Sequence, residues 1–548
     1  KHRAARLLLC LDTTIWNGLS WSNGVPSSEK RIVFNGNYPV LNSSNACSCS
    51  IGLGYTVAIP DGNTLGLVFD YSGAGTLILE NNASLFQIDD VSINTGIINL
   101  KRKTTPIVKM DYSYWSSPVS NQKLVDVSPN TLLDKFFSFD ATTDSWFEEL
   151  PTNSMDLGKG YIIRGPQYFS TTIPAPYEAV FTGVPNNGKI AIPIGGNNTS
   201  NLLGNPYPSA ISAESFLTIN KDFIDGTIYF WTHNTPITNN IYNSNDYAVY
   251  NLFGGVGVQA TNLGVNNSIP NGKIASGQSF FTTSITTTGT VIFSNSMRQI
   301  DGLPIDNSQF YRSKNNKKKV TNTAQKHRIW LNFSNAQGAF KQLLMGYSSD
   351  ATNDYDTAVD GETIDGNEYV DFYSVNNSRK LVIQARALPF DATDVISLGF
   401  RTKIAGAFTI SIDQLDGLFE NQSVFLEDKV NHVIADLKKA NYSFDTEIGT
   451  FDDRFVLRYT DKTLGIGDFN PLSNQIIISK DKNELKIKSE LETIKRVTVF
   501  DLLGRKVFEK DTEDSNEFRS SGVSLSKQIG VVKVTLTNGK VISKKVRF

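Results

Sequence analysis

Histidine is nearly absent from this chain of 548 residues: four occur, His2, His233, His327 and His432, each in a different segment. Zinc sites and Ser-His-Asp triads draw on histidines, so scattered ones point to surface or capped polar roles. No Gly-x-Ser-x-Gly elbow, His-Glu-x-x-His pair or phosphate loop is present. Three cysteines make a poor disulfide framework. Cys47 and Cys49 flank one serine, so on a strand both face the same way and bridging them would be strained; buried small hydrophobes are the expectation. No run approaches the ~20 apolar residues of a membrane helix. Charged residues are 19% of the chain, below the roughly 25% of an ordinary soluble protein. A net charge of −2 and no basic–aromatic interleaving give no nucleic-acid surface. The opening Lys1–Leu11 has a basic start but an apolar run too short for a full signal peptide, and it reads as a remnant of one or a misread start.

What is abundant is Asn, Ser, Thr and Gly, a mix that suits short strands joined by polar turns and predicts an all-β chain. The length exceeds one core, so several domains are expected. Over 14–105, strand-like runs such as Thr56-Val-Ala-Ile, Leu65-Gly-Leu-Val-Phe and Thr76-Leu-Ile-Leu recur about every ten residues with Asn/Gly corners. That is a small parallel β-solenoid or an irregular sandwich. Trp16 and Trp21 are placed to cap its open end, with stacking on sugars as the lesser alternative.

Residues 106–300 carry a diverged tandem β repeat. Tyr114-Trp-Ser-Ser-Pro-Val119 answers to Leu203-Gly-Asn-Pro-Tyr-Pro208, and Met155-Asp-Leu-Gly-Lys-Gly-Tyr161 to Ile274-Ala-Ser-Gly-Gln-Ser-Phe280. Gly158 and Gly160 fit a tight turn into a strand, because a phosphate loop needs a following helix and Tyr161-Ile-Ile-Arg is strand-like. A basic linker follows at 311–325, then a β-sandwich over 326–462 with seven expected strands. Leu437-Lys-Lys-Ala is expected to form the one noticeable helical turn.

Carboxylates are the remaining candidates for chemistry. Asp350, Asn353, Asp354, Asp356, Asp360 and Glu362 crowd one short loop, a donor set that could hold a structural calcium ion, although the spacing is not that of an EF-hand. No other cofactor is indicated. Asp140, Asp144, Glu148 and Glu149 form a weaker cluster in which no spacing singles out a glycosidase pair.

The C-terminal segment 472–548 says most. Alternating runs Gln475–Ser479, Glu484–Lys488, Val497–Phe500, Val507–Phe508, Val531–Thr537 and Val541–Phe548 predict a small immunoglobulin-like β domain, with Asn538-Gly539 as a hairpin turn. From Lys480 on, 16 Lys/Arg face 10 Asp/Glu, a local surplus of about +6 that suits an acidic partner. The residues Val497-Thr-Val-Phe-Asp-Leu-Leu-Gly-Arg-Lys-Val507, then Asn538-Gly-Lys540 and the ending Val541-Ile-Ser-Lys-Lys-Val-Arg-Phe548, resemble the C-terminal sorting domain of type IX secretion substrates of Bacteroidetes. The 14–105 region and the Asp354–Glu362 loop resemble parts of secreted surface proteins of the same kind.

The resemblance implies a signal built on Asp501, Gly504, Arg505, Asn538, Gly539, Lys540, Lys544 and Lys545. Its implied partners are the outer-membrane translocon barrel, a shuttle barrel and a sortase. It further implies a protein at the cell surface or in the medium, reached through the periplasm and outer membrane, and O-glycosylation at Asp12-Thr-Thr14 and Asp356-Thr-Ala358. The cargo is expected to be adhesive, with a carbohydrate or another surface ligand, and neither an enzyme nor an integral membrane protein. A polysaccharide-acting hydrolase or a surface-layer component is the alternative.

Overall fold

The computed structural model describes residues 10–547 except 233–236, 239–240, 243–246, 259–268, 309–324, 365–368, 462–475, 482–483, 490–491, 502–503, 524–528 and 539–540. Most of the basic linker, along with His2 and His233, lies outside the described residues. No helix among the described residues is long and apolar enough to cross a membrane. The chain divides into two compact units, Lys1–Asp461 and Lys462–Phe548.

The first unit opens as a three-sided parallel coil. One side stacks Asp12–Trp16, Lys30–Phe34, Ser48–Ile51 and Tyr71–Ser72; the others stack Ser44–Ala46, Thr64–Leu67 and Ser84–Gln87, and Thr56–Ile59, Thr76–Leu79 and Ile97–Lys103. Arg31 lies beside Ser48, Thr56 beside Thr76 and Thr64 beside Ser84, so a coil advances about twenty residues. Of the two expected forms, this is the solenoid. Its interior is aliphatic because every second residue points inward, as with Val57 and Ile59 or Leu77 and Leu79, all fully buried. At the first coil Trp16 packs on Trp21 (5.5 Å) and Tyr38 (4.8 Å), and Trp21 on Phe34 (5.3 Å).

Here the cysteine expectation needs correcting. Cys10 and Cys47 form a disulfide across 37 residues, their Cα atoms 5.6 Å apart. The coil brings Cys10, just ahead of its first strand, to a partner on the next layers; spacing along the sequence gives no hint of that return. Cys49 stays free and buried, its thiol pushed up by that burial.

The two repeat halves share one strand order. Tyr112–Trp115, Phe136–Asp140, Ser145–Glu148 and Tyr161–Arg164 form a sheet in which the first strand pairs with the last, the last with the second and the second with the third. Ser200–Gly204, Thr227–Trp231, Tyr247–Asn251 and Ser279–Thr283 repeat that order. Each half carries a helix after its first strand, at Leu124–Val127 and Ala213–Asn220, and a closing strand, at Glu178–Gly183 and Thr288–Phe293. The first closing strand pairs antiparallel with the last solenoid strand.

Ala213–Asn220 is the longest helix described, started by Ser212, whose hydroxyl accepts the Ser215 amide. At Leu437-Lys-Lys-Ala the expected turn follows the strand Val433–Asp436, with the Ala440 amide bonding the Asp436 carbonyl, but the most noticeable helical segment is Ala213–Asn220. Two lysines and a short loop between strands leave no apolar face for a longer helix.

The region after 326 is one sheet of eleven strands rather than seven, running from Val433–Asp436 at one edge to Tyr442–Thr446 at the other and folded over a phenylalanine core. Phe333 stacks on Phe408 (4.7 Å) and Phe372 (5.3 Å) within it. A second cluster, with Tyr114, Trp231 and Phe253 against Trp330, Leu344 and Ile383, joins this sheet to the repeat halves. The Trp330 indole donates to the Gly255 carbonyl at 2.8 Å across that junction.

The second unit packs two sheets around its own core of Ile487, Val497, Val499, Val532 and Val534. One holds Ile476–Asp481, Glu484–Ser489 and Glu517–Ser520; the other orders Lys506–Ser515, Ile494–Phe500, Ile529–Leu536 and Val541–Arg547. Among the described residues every pairing is antiparallel and seven strands form an immunoglobulin-like sandwich.

Candidate functional site

In the second unit the proposed signal residues build a turn. Asp501 directly follows the strand Ile494–Phe500 and is 7% exposed. One of its carboxylate oxygens accepts the Arg505 amide (2.9 Å) and the other accepts Arg505 Nε (2.7 Å). Its own amide donates to the Arg505 carbonyl, and the Gly504 amide donates to its carbonyl. Gly504 sits at φ +78°, left-handed backbone that favours glycine. The Asp-x-x-Gly-Arg order is thus the chemistry of a hairpin turn, and it leaves the Arg505 side chain 74% exposed. Lys544 Nζ caps the Ile476 carbonyl at 2.8 Å, tying the last strand to the facing sheet. Lys545 pairs with Val531 in that strand, and Asn538 sits exposed in the turn before it. Gly539 and Lys540 lie outside the described residues.

The six residues of the acidic loop do not converge. Asp360 is fully buried, one oxygen accepting the Asp356 amide and the other the Ala385 amide, both at 2.8 Å. Burial pushes its carboxyl up to about 7 against the pull of those two bonds. Asp356 accepts from Thr352, Glu362 pairs with Arg379, Asn353 accepts the Ala387 amide and Asp354 accepts from Asn377. Asp350 is exposed beside Ser349. Among the described residues, no three His, Cys, Asp or Glu side chains come together as a metal-holding group. Thr13 and Thr357 of the two expected glycosylation patterns are exposed, whereas Thr14 is buried and donates to the Gly24 carbonyl. His327 Nδ1 accepts the Leu418 amide, and His432 is exposed in a turn.

A cleft of about 700 Å³ opens between the two repeat halves. Its floor is stitched by backbone: the Gly160 amide donates to the Leu202 carbonyl and the Gly204 amide to the Gly158 carbonyl, both at 3.0 Å. A Cβ on Gly160 would lie 2.5 Å from Leu202, which explains this glycine better than a tight turn alone. Asp140, Phe147, Glu149, Asp156, Lys159 and Ile192 are among the lining side chains. Lys159 Nζ stands 3.4 Å from Glu149 and 3.7 Å from Asp156. Burial works to raise Glu149, but bonds from Ser138 and Asn153 and the Lys159 ammonium outweigh it and hold the carboxyl below its usual range. Asp140, half-buried, is held below its usual range by the Thr142 amide. Of the weaker acidic cluster, Asp140 and Glu149 reach this cleft; Asp144 and Glu148 do not line it. Sequence reading missed Asp156 and Lys159, though the repeat alignment already placed both in the loop leading into the last strand of its half.

Comparison with curated proteins finds no match. Residues 464–548 match the family described as Domain of unknown function (DUF8694), which coincides closely with the second unit. Residues 11–459 match the family described as Domain of unknown function (DUF8693), nearly the whole of the first unit. The chain belongs to the DUF8693 family.

Proposed function

We propose that this chain is a secreted, cell-surface β protein carried across the outer membrane by the type IX system, with 462–548 as its export address. The observation that carries the reading is the self-contained C-terminal sandwich, in which Asp501, Gly504 and Arg505 form one surface turn. Its basic surplus gives a translocon, shuttle or sortase surface something to hold. The Cys10–Cys47 disulfide fits an oxidising compartment such as the periplasm or the medium. Residues 1–461 are then the cargo: rigid β layers that act by binding rather than by catalysis.

The test is transfer. Fusing 462–548 to a periplasmic reporter in a Bacteroidetes host carries the reporter to the surface or the medium. A reporter that stays in the periplasm overturns the reading.

A further inference from the structure

We infer that the cleft between the repeat halves is an oligosaccharide-binding site, which rests on the reading of 1–461 as binding cargo. The two halves share a strand order, yet they treat their third strand differently. In the second half, Tyr247–Asn251 is covered by Gly255–Val256, and Ala248 and Val249 are buried. In the first half, Ser145–Glu148 pairs only with Phe136–Asp140, no described strand covers its outer edge, and all four of its residues are exposed. Two of them are Trp146, at 41%, and Phe147, at 60%. A short edge strand normally hides such rings or replaces them with charge. Trp146 leans on Phe139 (5.2 Å), Phe281 (5.9 Å) and Tyr114 (6.1 Å), at the margin of the aromatic cluster that joins the halves to the large sheet. Phe147, opposite Ser138 in the pairing, is the exposed ring of the cleft lining, to which the half-buried Phe139 also contributes.

The remaining chemistry selects the ligand class. Three carboxylates against one ammonium disfavour phosphates and other anions. Asp140 and Asp156 keep accepting oxygens at the surface, Asp156 with its side chain 73% exposed, while Lys159 offers donors. Acceptors and donors beside the exposed Phe147 ring and an apolar wall at Ile192 match a neutral sugar. Its axial C–H face stacks on the ring, and its vicinal hydroxyls both donate and accept. The cleft is roughly the size of small-ligand sites generally, with room for a few sugar rings. It is formed by both halves, so it exists only in the assembled tandem.

The experiment is calorimetric titration of the purified full-length protein with cello-, manno-, xylo- and galacto-oligosaccharides of four to six units, alongside a tetralysine peptide. At least one neutral oligosaccharide binds at millimolar concentration or tighter. Phe147→Ala and Asp156→Asn each weaken it tenfold or more. Both positions are exposed, so both variants keep the wild-type melting temperature. No binding by any sugar, binding unchanged in both variants, or binding of tetralysine alone overturns the inference. Because purified protein is used, failure here leaves the export reading standing, and failure of export leaves this result untouched.

Discussion

At the residue scale, the Asp501–Arg505 turn separates what holds the fold from what the proposed export reading would use. Arg505 spends its backbone on the turn and exposes its guanidinium, and a surface ion pair of this kind contributes little stability. Arg505→Ala therefore shifts the melting of the C-terminal unit by less than ~3 °C, corresponding to the ~0.5 kcal/mol expected of an exposed pair, yet reduces export when the guanidinium is part of the address. Unchanged secretion of that variant would show the motif to be turn chemistry alone. Asp501→Ala removes the acceptor for the Arg505 amide and costs about 1–2 kcal/mol.

A second residue-scale consequence concerns pH. Burial raises Asp360 to about 7 and Asp225 to about 6, both above their unfolded value near 3.9. Carboxyls raised on folding bind protons in the native state, so their contribution is fully present below about pH 4 and lost as pH rises through 6 to 7. The melting temperature of the first unit falls as pH is taken from 5 to 8, and Asp360→Asn flattens that slope. An equally steep slope in the variant would place the titration elsewhere. Such buried acids were invisible in the sequence, where Asp360 reads as one more oxygen in a polar loop. Its neighbours on the strand Arg379–Ala387 decide its role.

At the scale of elements, strands with alternating apolar residues were legible and those without were not. Val497–Phe500 and Val531–Thr537 stand out in the sequence. Glu517–Ser520 carries a single buried apolar residue, Phe518, and was missed. The repeat was legible because turn residues and aromatic positions recur; the cleft it creates was not, because its walls lie 50 residues or so apart in the chain. Gly160 packs directly behind Leu202, one of the residues lining that cleft. Gly160→Val forces a side chain onto Leu202 and Ser279, costing about 1–3 kcal/mol by overpacking. Oligosaccharide binding should fall with it, while the separate C-terminal transition in a thermal melt stays in place.

The disulfide belongs to this scale too, since it closes coils rather than neighbouring residues. In denaturant without reductant, protein recovered from the medium exposes one reactive thiol, that of Cys49, and three after reduction. Three thiols without reductant would contradict the pairing. Loop entropy for a crosslink of this span is worth about 4 kcal/mol, so reduction lowers the melting temperature of the first unit.

At the scale of the whole molecule, the division into a large all-β unit and a small basic sandwich is what makes the proposed export role physically sensible. The C-terminal unit has its own hydrophobic core. Chemistry at the cargo's cleft and transport at its C-terminal unit can then be tested apart. The most direct test is to express the full chain and a form ending at Asp461 in a Bacteroidetes host and to fractionate the cells. Full-length protein on the surface or in the medium, with the shortened form held in the periplasm, is the predicted result. Equal appearance of both outside the cell would contradict it and return the C-terminal sandwich to the status of an ordinary β domain.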